Sequence, residues 1–274
     1  MRVPSLTIVA GRKGVGKTYT TMQIVRQYVM GTPYAKPKKV LIFDVNNEYS
    51  EVKSMPLKYV KLFAAQKKAQ VRRILPFTQD GKVISPDGLK EMLAFILDNY
   101  SNGLLLIEDI NTYVHDNYGK DLIGLLTRQR HRNMDVVIHF QGVGRLLNPK
   151  LIQQSTFVRL HPTIDNIKHY RDRAEDYYEV LAIAEKLVDY INEFLPAEKQ
   201  FFYCYVNMPL TRIIGKFNRE EFRVAVERYL RSNNEALKEM INAKGDDGKP
   251  LYNYKQAYQK TINNLIENYY GNKT

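Results

Sequence analysis

The stretch Leu6-Thr7-Ile8-Val9-Ala10-Gly11-Arg12-Lys13-Gly14-Val15-Gly16-Lys17-Thr18-Tyr19 decides how the rest of the chain is read. Residues 6–10 form a short, mainly apolar run of strand length. Residues 11–18 then fit the phosphate-loop pattern G-x-x-x-x-G-K-[ST]. Met22, Val25 and Val29 follow at helical spacing, so the motif lies between a strand and a helix as its chemistry requires. Glycines let the backbone wrap closely around phosphate, with N–H groups and the helix N-terminus pointing at it. Lys17 is placed to reach the β and γ phosphates of ATP, and the Thr18 hydroxyl to ligate Mg²⁺. Residues Gly11 to Tyr19 are therefore the expected nucleotide-binding segment.

Working outward, apolar runs alternate with helical patterns to about residue 160, the signature of strand-helix-strand units around a parallel sheet. The expected strands are Leu6–Ala10, Val40–Asp44, Tyr59–Phe63, Leu104–Ile107 and Val136–Phe140. One helix presents Leu89, Met92, Leu93, Ile96 and Leu97, with Ser85 as its N-cap and Pro86 at its first position. After His161-Pro162 a long helical segment spaces Tyr177, Leu181, Ala184, Val188, Ile191 and Leu195 by fours and threes, a seam for the core or for a neighbouring subunit, with packing within the chain the favoured reading. Phe201–Asn207 and Arg212–Ile214 read as a late strand or hairpin. Asn218 with Glu221 reads as a capping box, and the Gly-Asp-Asp-Gly region near 245–248 as a break before a Tyr-rich terminal helix. The fold class is α/β, divided as a core over 1–164, a segment completing or packing on it over 165–217, and a helical appendage over 218–274.

The 274 residues carry 41 Lys and Arg against 29 Asp and Glu, a formal charge of +12. Residues 1–164 hold 24 basic and 12 acidic side chains, so the excess lies in the α/β core. A polyanion such as DNA is expected to meet the protein there. The clusters Lys36/Lys38/Lys39, Lys67/Lys68 and Arg72/Arg73 have two readings, a DNA track or a solubilising surface. The single Cys204 excludes an intramolecular disulfide and a cysteine-based zinc site, and suits the cytoplasm. No apolar run approaches the roughly 20 residues of a membrane helix, and the run at 6–10 is too brief for a signal-peptide core. The five His residues have no metal-ligand spacing.

Leu104-Leu105-Leu106-Ile107-Glu108-Asp109 is an apolar strand ending in two acids, which a doubly wound sheet would set beside the phosphate loop. By order, Glu108 takes the Mg²⁺ shell, usually through water, and Asp109 orients or deprotonates the attacking water. Gln141 ends another strand and reads either as a loop cap or as a γ-phosphate sensor.

Three further features resemble the HerA/FtsK superfamily of DNA-pumping P-loop ATPases, which includes viral genome-packaging ATPases. Asp44-Val45-Asn46-Asn47-Glu48-Tyr49 is similar to the D-x-x-G-E-Y segment of HerA-type proteins, with Asn47 where that segment has Gly. Asp135 to Gln141 looks like the strand ending in a sensor Gln. Arg128-Gln129-Arg130-His131-Arg132 stands where the family places its arginine finger, and Arg130 aligns best. The resemblance covers about residues 5–160. It implies a RecA-like core, ATP hydrolysis with Mg²⁺, and movement of double- or single-stranded DNA. It also implies a homo-oligomeric ring, a hexamer being one form, with ATP at subunit interfaces. For a packaging enzyme, a capsid vertex or portal-like component is a further partner and the host cytoplasm the address. The rival readings are a nucleotide-dependent assembly switch and a small-molecule kinase.

Overall fold

A parallel strand covered on both faces is apolar on both, so it appears in sequence as a continuous hydrophobic run. The computed structural model describes residues 3–77, 82, 84–109, 131–146, 149–245 and 248–272. In it β1 (Leu6–Ala10), β2 (Lys39–Phe43), β3 (Val71–Ile74), β4 (Gly103–Ile107), β5 (Asp135–Phe140) and β6 (Phe157–Leu160) run parallel. β7 (Cys204–Asn207) pairs antiparallel with β6, and β8 (Arg212–Gly215) with β7. The sheet order is β3-β2-β4-β5-β1-β6-β7-β8. Hence β5 lies between β4 and β1, and the loops leaving these three strands open on one end of the sheet.

Alternation within the strands divides the core by face. α1 (Lys17–Met30) covers one face, where Val25 meets Val9, Ile42, Leu106 and Val137. The other face carries Leu6, Ile8, Leu41, Leu105 and Ile138 under α2 (Val60–Ala65), α3 (Pro86–Asn99), α4 (Tyr178–Glu193), α5 (Arg219–Ser232) and α6 (Tyr254–Tyr269). The expected caps form: the Ser85 hydroxyl accepts from the Gly88 N–H at 3.3 Å, and Asn218 with Glu221 makes a reciprocal capping box. The seam Leu181, Ala184 and Val188 is buried within the chain, where α4 packs against α5 and the sheet. Ile262 and Leu265 of α6 are core residues, whereas Tyr254 at its start is 65% exposed.

Two expectations are corrected. Tyr59–Phe63 is not a strand: Leu57–Tyr59 is a 3₁₀ turn, and α2 buries Val60 and Phe63, three apart, with Phe63 stacked on Tyr100 at 6.0 Å. A five-residue segment, apolar except for Lys61, is too short for its period to separate strand from helix. The third strand is Val71–Ile74, whose central Arg72-Arg73 pair conceals it. Arg73 is buried and donates to Asp44 at 2.8 Å, and the Lys39 ammonium is held by the carbonyls of Ala64 and Gln66. Both side chains are buried and engaged in contacts within the fold. No helix among the described residues is long and apolar enough to cross a membrane.

Candidate active site

The phosphate loop leaves β1 in a conformation that its glycines permit. Gly14 and Gly16 have φ of 84° and 79°, in the left-handed region that side chains disfavour. A Cβ on Gly11 would stand 2.6 Å from the Cβ of His161, so this position needs glycine for space. The Lys17 ammonium bends back over the loop and donates to the carbonyls of Gly11 at 2.6 Å and Arg12 at 2.9 Å. Burial lowers its pKa, partly opposed by the carboxylates of Glu108, Asp109 and Glu48. A cation held by two carbonyls of the loop can exchange them for phosphate oxygens.

Register brings the chemistry to this loop. Val9 pairs with His139 on β5 and with Arg159 on β6, while Glu108 and Asp44 each follow the last paired residues of β4 and β2, Ile107 and Phe43. The α1 face therefore carries one polar row, Asp44, Glu108, His139 and Arg159, interrupted by Val9. Glu108 is 3% exposed, accepts a hydrogen bond from the Tyr49 hydroxyl, and lies 2.9 Å from Nδ1 of His139. Burial pushes its pKa up, but His139, Tyr49 and Lys17 outweigh that and hold it below the ordinary carboxylate value. Nε2 of His139 stands 2.8 Å from the Thr21 hydroxyl of α1.

Asp109 adopts φ 40°, a left-handed conformation that turns its carboxylate toward β5 and β2. Its Oδ2 accepts from the amides of Asn46 at 3.0 Å and Gln141 at 2.5 Å. The buried Asp44 accepts from the N–H groups of Glu48 and Tyr49, and Asn47 sits in the left-handed turn at φ 57°. That turn delivers Tyr49 to Glu108 and Glu48 to the phosphate loop, where Oε2 of Glu48 accepts from the Thr18 hydroxyl at 2.9 Å. A cleft of about 910 Å³ is lined by Lys13, Gly14, Gly16, Lys17, Thr18 and Tyr19, facing Asn46, Glu48, Glu108, Asp109 and Gln141.

A family model described as the helicase HerA central domain matches residues 7–273. The chain belongs to the HerA central-domain family. It is similar in structure to the genome packaging NTPase B204 from Sulfolobus turreted icosahedral virus 2 in complex with ATP-gammaS. There the TM-score is 0.53 at 16% identity, over 78% of this chain and 97% of that one. It is also similar to B204, the DNA-packaging ATPase from Sulfolobus turreted icosahedral virus, with a TM-score of 0.50 at 13% identity over 78% and 97% of the two chains. At such identities the likeness is one of fold. No curated protein sequence matches the chain.

In this HerA-family chain the sequence-predicted residues divide into three groups. Lys17, Thr18, Glu108, Asp109 and Gln141 come together in the cleft. Val15 is buried beneath it, while Gly11 and Arg12 contribute the carbonyls that hold Lys17. Arg130 and Arg128 lie outside the described residues. Arg132 is at the opposite end of the sheet, paired with Asp98 at 3.5 Å.

Asn46, Glu48 and His139 line the site without having been expected there, and Arg159 lies behind it. His139 and Arg159 carried a usable signal, being polar residues inside strands otherwise buried on both faces. Phe201 carried none. It reaches the cleft from just before β7, and with Tyr203 and Tyr205 it lines a second hollow along α1, of about 760 Å³, that shares Gly16 and Tyr19.

The oxygen donors facing the loop, the Thr18 hydroxyl with Glu48, Glu108 and Asp109, suit a hard divalent cation such as Mg²⁺. Among the described residues no three His, Cys, Asp or Glu side chains form a metal cage, so such a cation would complete its shell with phosphate oxygens and water.

Proposed function

We propose that this chain is an ATP-hydrolysing motor that moves DNA, of the genome-packaging or mobile-element transfer kind. The observation that carries the reading is the convergence of the phosphate loop, the acid pair and Gln141 in one cleft at the ends of β1, β4 and β5. Family membership supports it, and so does the likeness in fold to packaging ATPases.

The loop N–H groups and Lys17 would bind the β and γ phosphates. Thr18 and, through water, Glu108 would hold Mg²⁺, which supplies charge neutralisation between those phosphates. Glu108 is suited to that part because its neighbours keep it ionised. Asp109 would orient or deprotonate the attacking water. Gln141 donates one N–H of its amide to Asp109, and its second N–H or a shift away from that carboxylate would let it meet a phosphate, the response expected of a sensor.

In a homo-oligomeric ring Arg130 would act on the ATP of a neighbouring subunit, where such a finger is worth roughly 10³–10⁵ in rate. Arg130→Ala should bind ATP yet hydrolyse it very slowly, and mixing it with Lys17→Ala should restore some activity. Failure to recover in mixtures that co-assemble would remove the role in trans.

The deciding experiment measures ATP hydrolysis with and without double- or single-stranded DNA across salt concentrations. Stimulation by DNA that falls with salt supports the motor. Slow, DNA-independent turnover would favour an assembly switch instead. Neutralising Lys67, Lys68 and Arg72 together tests one DNA track, and an unchanged affinity and salt slope would exclude that surface.

A further inference from the structure

Arg159 is a fully buried arginine, with 0% of its surface exposed, on a strand whose neighbours are apolar. Its Nη2 donates to the Thr21 hydroxyl and lies 3.4 Å from the carbonyl of Lys17, both in the first two turns of α1. The face of Tyr203 covers it, with Cζ 5.7 Å from the ring centroid. Among the described residues Nε and Nη1 have no hydrogen-bond partner. Among the described residues no carboxylate forms an ion pair with it. In the polar row the nearest acid, Glu108, stands three strands away from β6 on β4, roughly 14 Å at the usual strand spacing. A tie between β6 and α1 would need only a neutral donor. Burying a full charge without a counter-charge costs far more than burying a neutral amide, so the charge itself calls for an explanation.

We propose that Arg159 is a fixed positive charge beneath the phosphate loop whose counter-ion is the polyphosphate of the bound nucleotide. It does not line the cleft and contacts Lys17 and Thr21 behind it, so it is a positioning residue that acts through the loop. Its field already reaches the loop, since it helps depress the pKa of Lys17 and of His161 beside it, both lowered first by burial. At an effective dielectric near 20 and a separation of roughly 10 Å, one such charge changes affinity by about tenfold for each net negative charge on the polyphosphate, so the loss on removing it should be tenfold at least. This inference rests on the phosphate-loop reading of the cleft.

The test is calorimetric binding of inorganic tripolyphosphate and of ATP, each with Mg²⁺, to the full chain. Arg159→Gln should weaken both by about tenfold or more, Arg159→Lys should restore binding to within about threefold of the parent, and Thr21→Val should also stay within about threefold. Thr21→Val removes the hydroxyl that accepts from Arg159 and leaves the Lys17 carbonyl and the charge in place, so it remains informative if Arg159→Gln does not fold. Tripolyphosphate affinity untouched by Arg159→Gln would overturn the inference. A loss in Arg159→Lys and Thr21→Val as large as in Arg159→Gln would overturn it too, because geometry and not charge would then be at work. If Lys17→Ala leaves tripolyphosphate bound as before, the phosphate-loop reading falls and takes the inference with it. If Lys17→Ala abolishes binding while Arg159→Gln does not alter it, only the inference falls.

Discussion

Glu108 and Glu185 are both buried carboxylates, 3% and 5% exposed, on opposite faces of one sheet, and their pKa values move in opposite directions. Burial pushes both upward. At Glu108 it is outweighed by His139, Tyr49 and Lys17, so the acid stays ionised. At Glu185, on α4, burial wins over one N–H from Ile167 at 2.7 Å and the ammonium of Lys186 at 3.4 Å. Sequence hydrophobicity treats the two alike. What separates them is how many cations and hydroxyls the fold aims at each, and that number marks the α1 face as chemical and the opposite face as structural.

The largest expected effect is on the α1 face. Lys17→Ala should lower ATP hydrolysis by about a thousandfold or more while leaving the melting temperature nearly unchanged, because the Lys17 side chain lies over the cleft at the start of α1 and supports no core. Nearly parental turnover in the pure variant would dissolve the distinction between the faces.

Next come the paired acids. Asp109→Asn should bind ATP but cleave it at least about a hundredfold more slowly, whereas Glu108→Gln should mainly weaken Mg²⁺-dependent binding. Nucleotide titrations with and without Mg²⁺ would check this, and the reverse pattern would exchange the two roles.

A smaller effect concerns stability. Glu108 has a depressed folded-state pKa, so its contribution is present above the ordinary carboxylate value and is lost as pH falls through the folded value. Glu108→Gln should therefore cost about 1–3 kcal/mol near neutral pH, with the gap to the parent closing in acid. Denaturant titrations at pH 7 and pH 4 that gave the same gap would remove the ionic account.

The smallest effect has the opposite sign. Glu185 has a raised folded-state pKa, so the folded state loses stability as pH rises from the ordinary carboxylate value through the folded one. Glu185→Gln keeps an acceptor for Ile167 and should gain up to about 1 kcal/mol at neutral pH and nothing in acid. A loss at neutral pH would show that Lys186 matters more than burial.

Much of this was legible in the chain. Residues 11–18 revealed the loop, and the acids after Leu104–Ile107 revealed the cleft, because both motifs end apolar strands and their spacing is local. The Leu89 to Leu97 periodicity revealed α3 for the same reason. Val71–Ile74 was hidden because Arg73 is neutralised by Asp44, a partner that only strand pairing supplies. The helical turn at Val60–Ala65 was misread because a short, mostly apolar segment is equally compatible with a strand buried on both faces.

The sequence by itself determined that a phosphate loop starts a parallel α/β sheet and that two acids and a glutamine end strands of it. Those conclusions follow from chemistry confined to a few consecutive residues. Only the tertiary structure decided which strands are neighbours. Placing β5 between β4 and β1 sets Gln141 on Asp109, and the same register aligns Asp44, Glu108, His139 and Arg159 in one row beneath α1. Register is a property of pairs of segments far apart in the chain, stabilised by backbone hydrogen bonds that no local pattern records. The same limit hid Phe201, which reaches the phosphate loop from more than 180 residues away in the sequence.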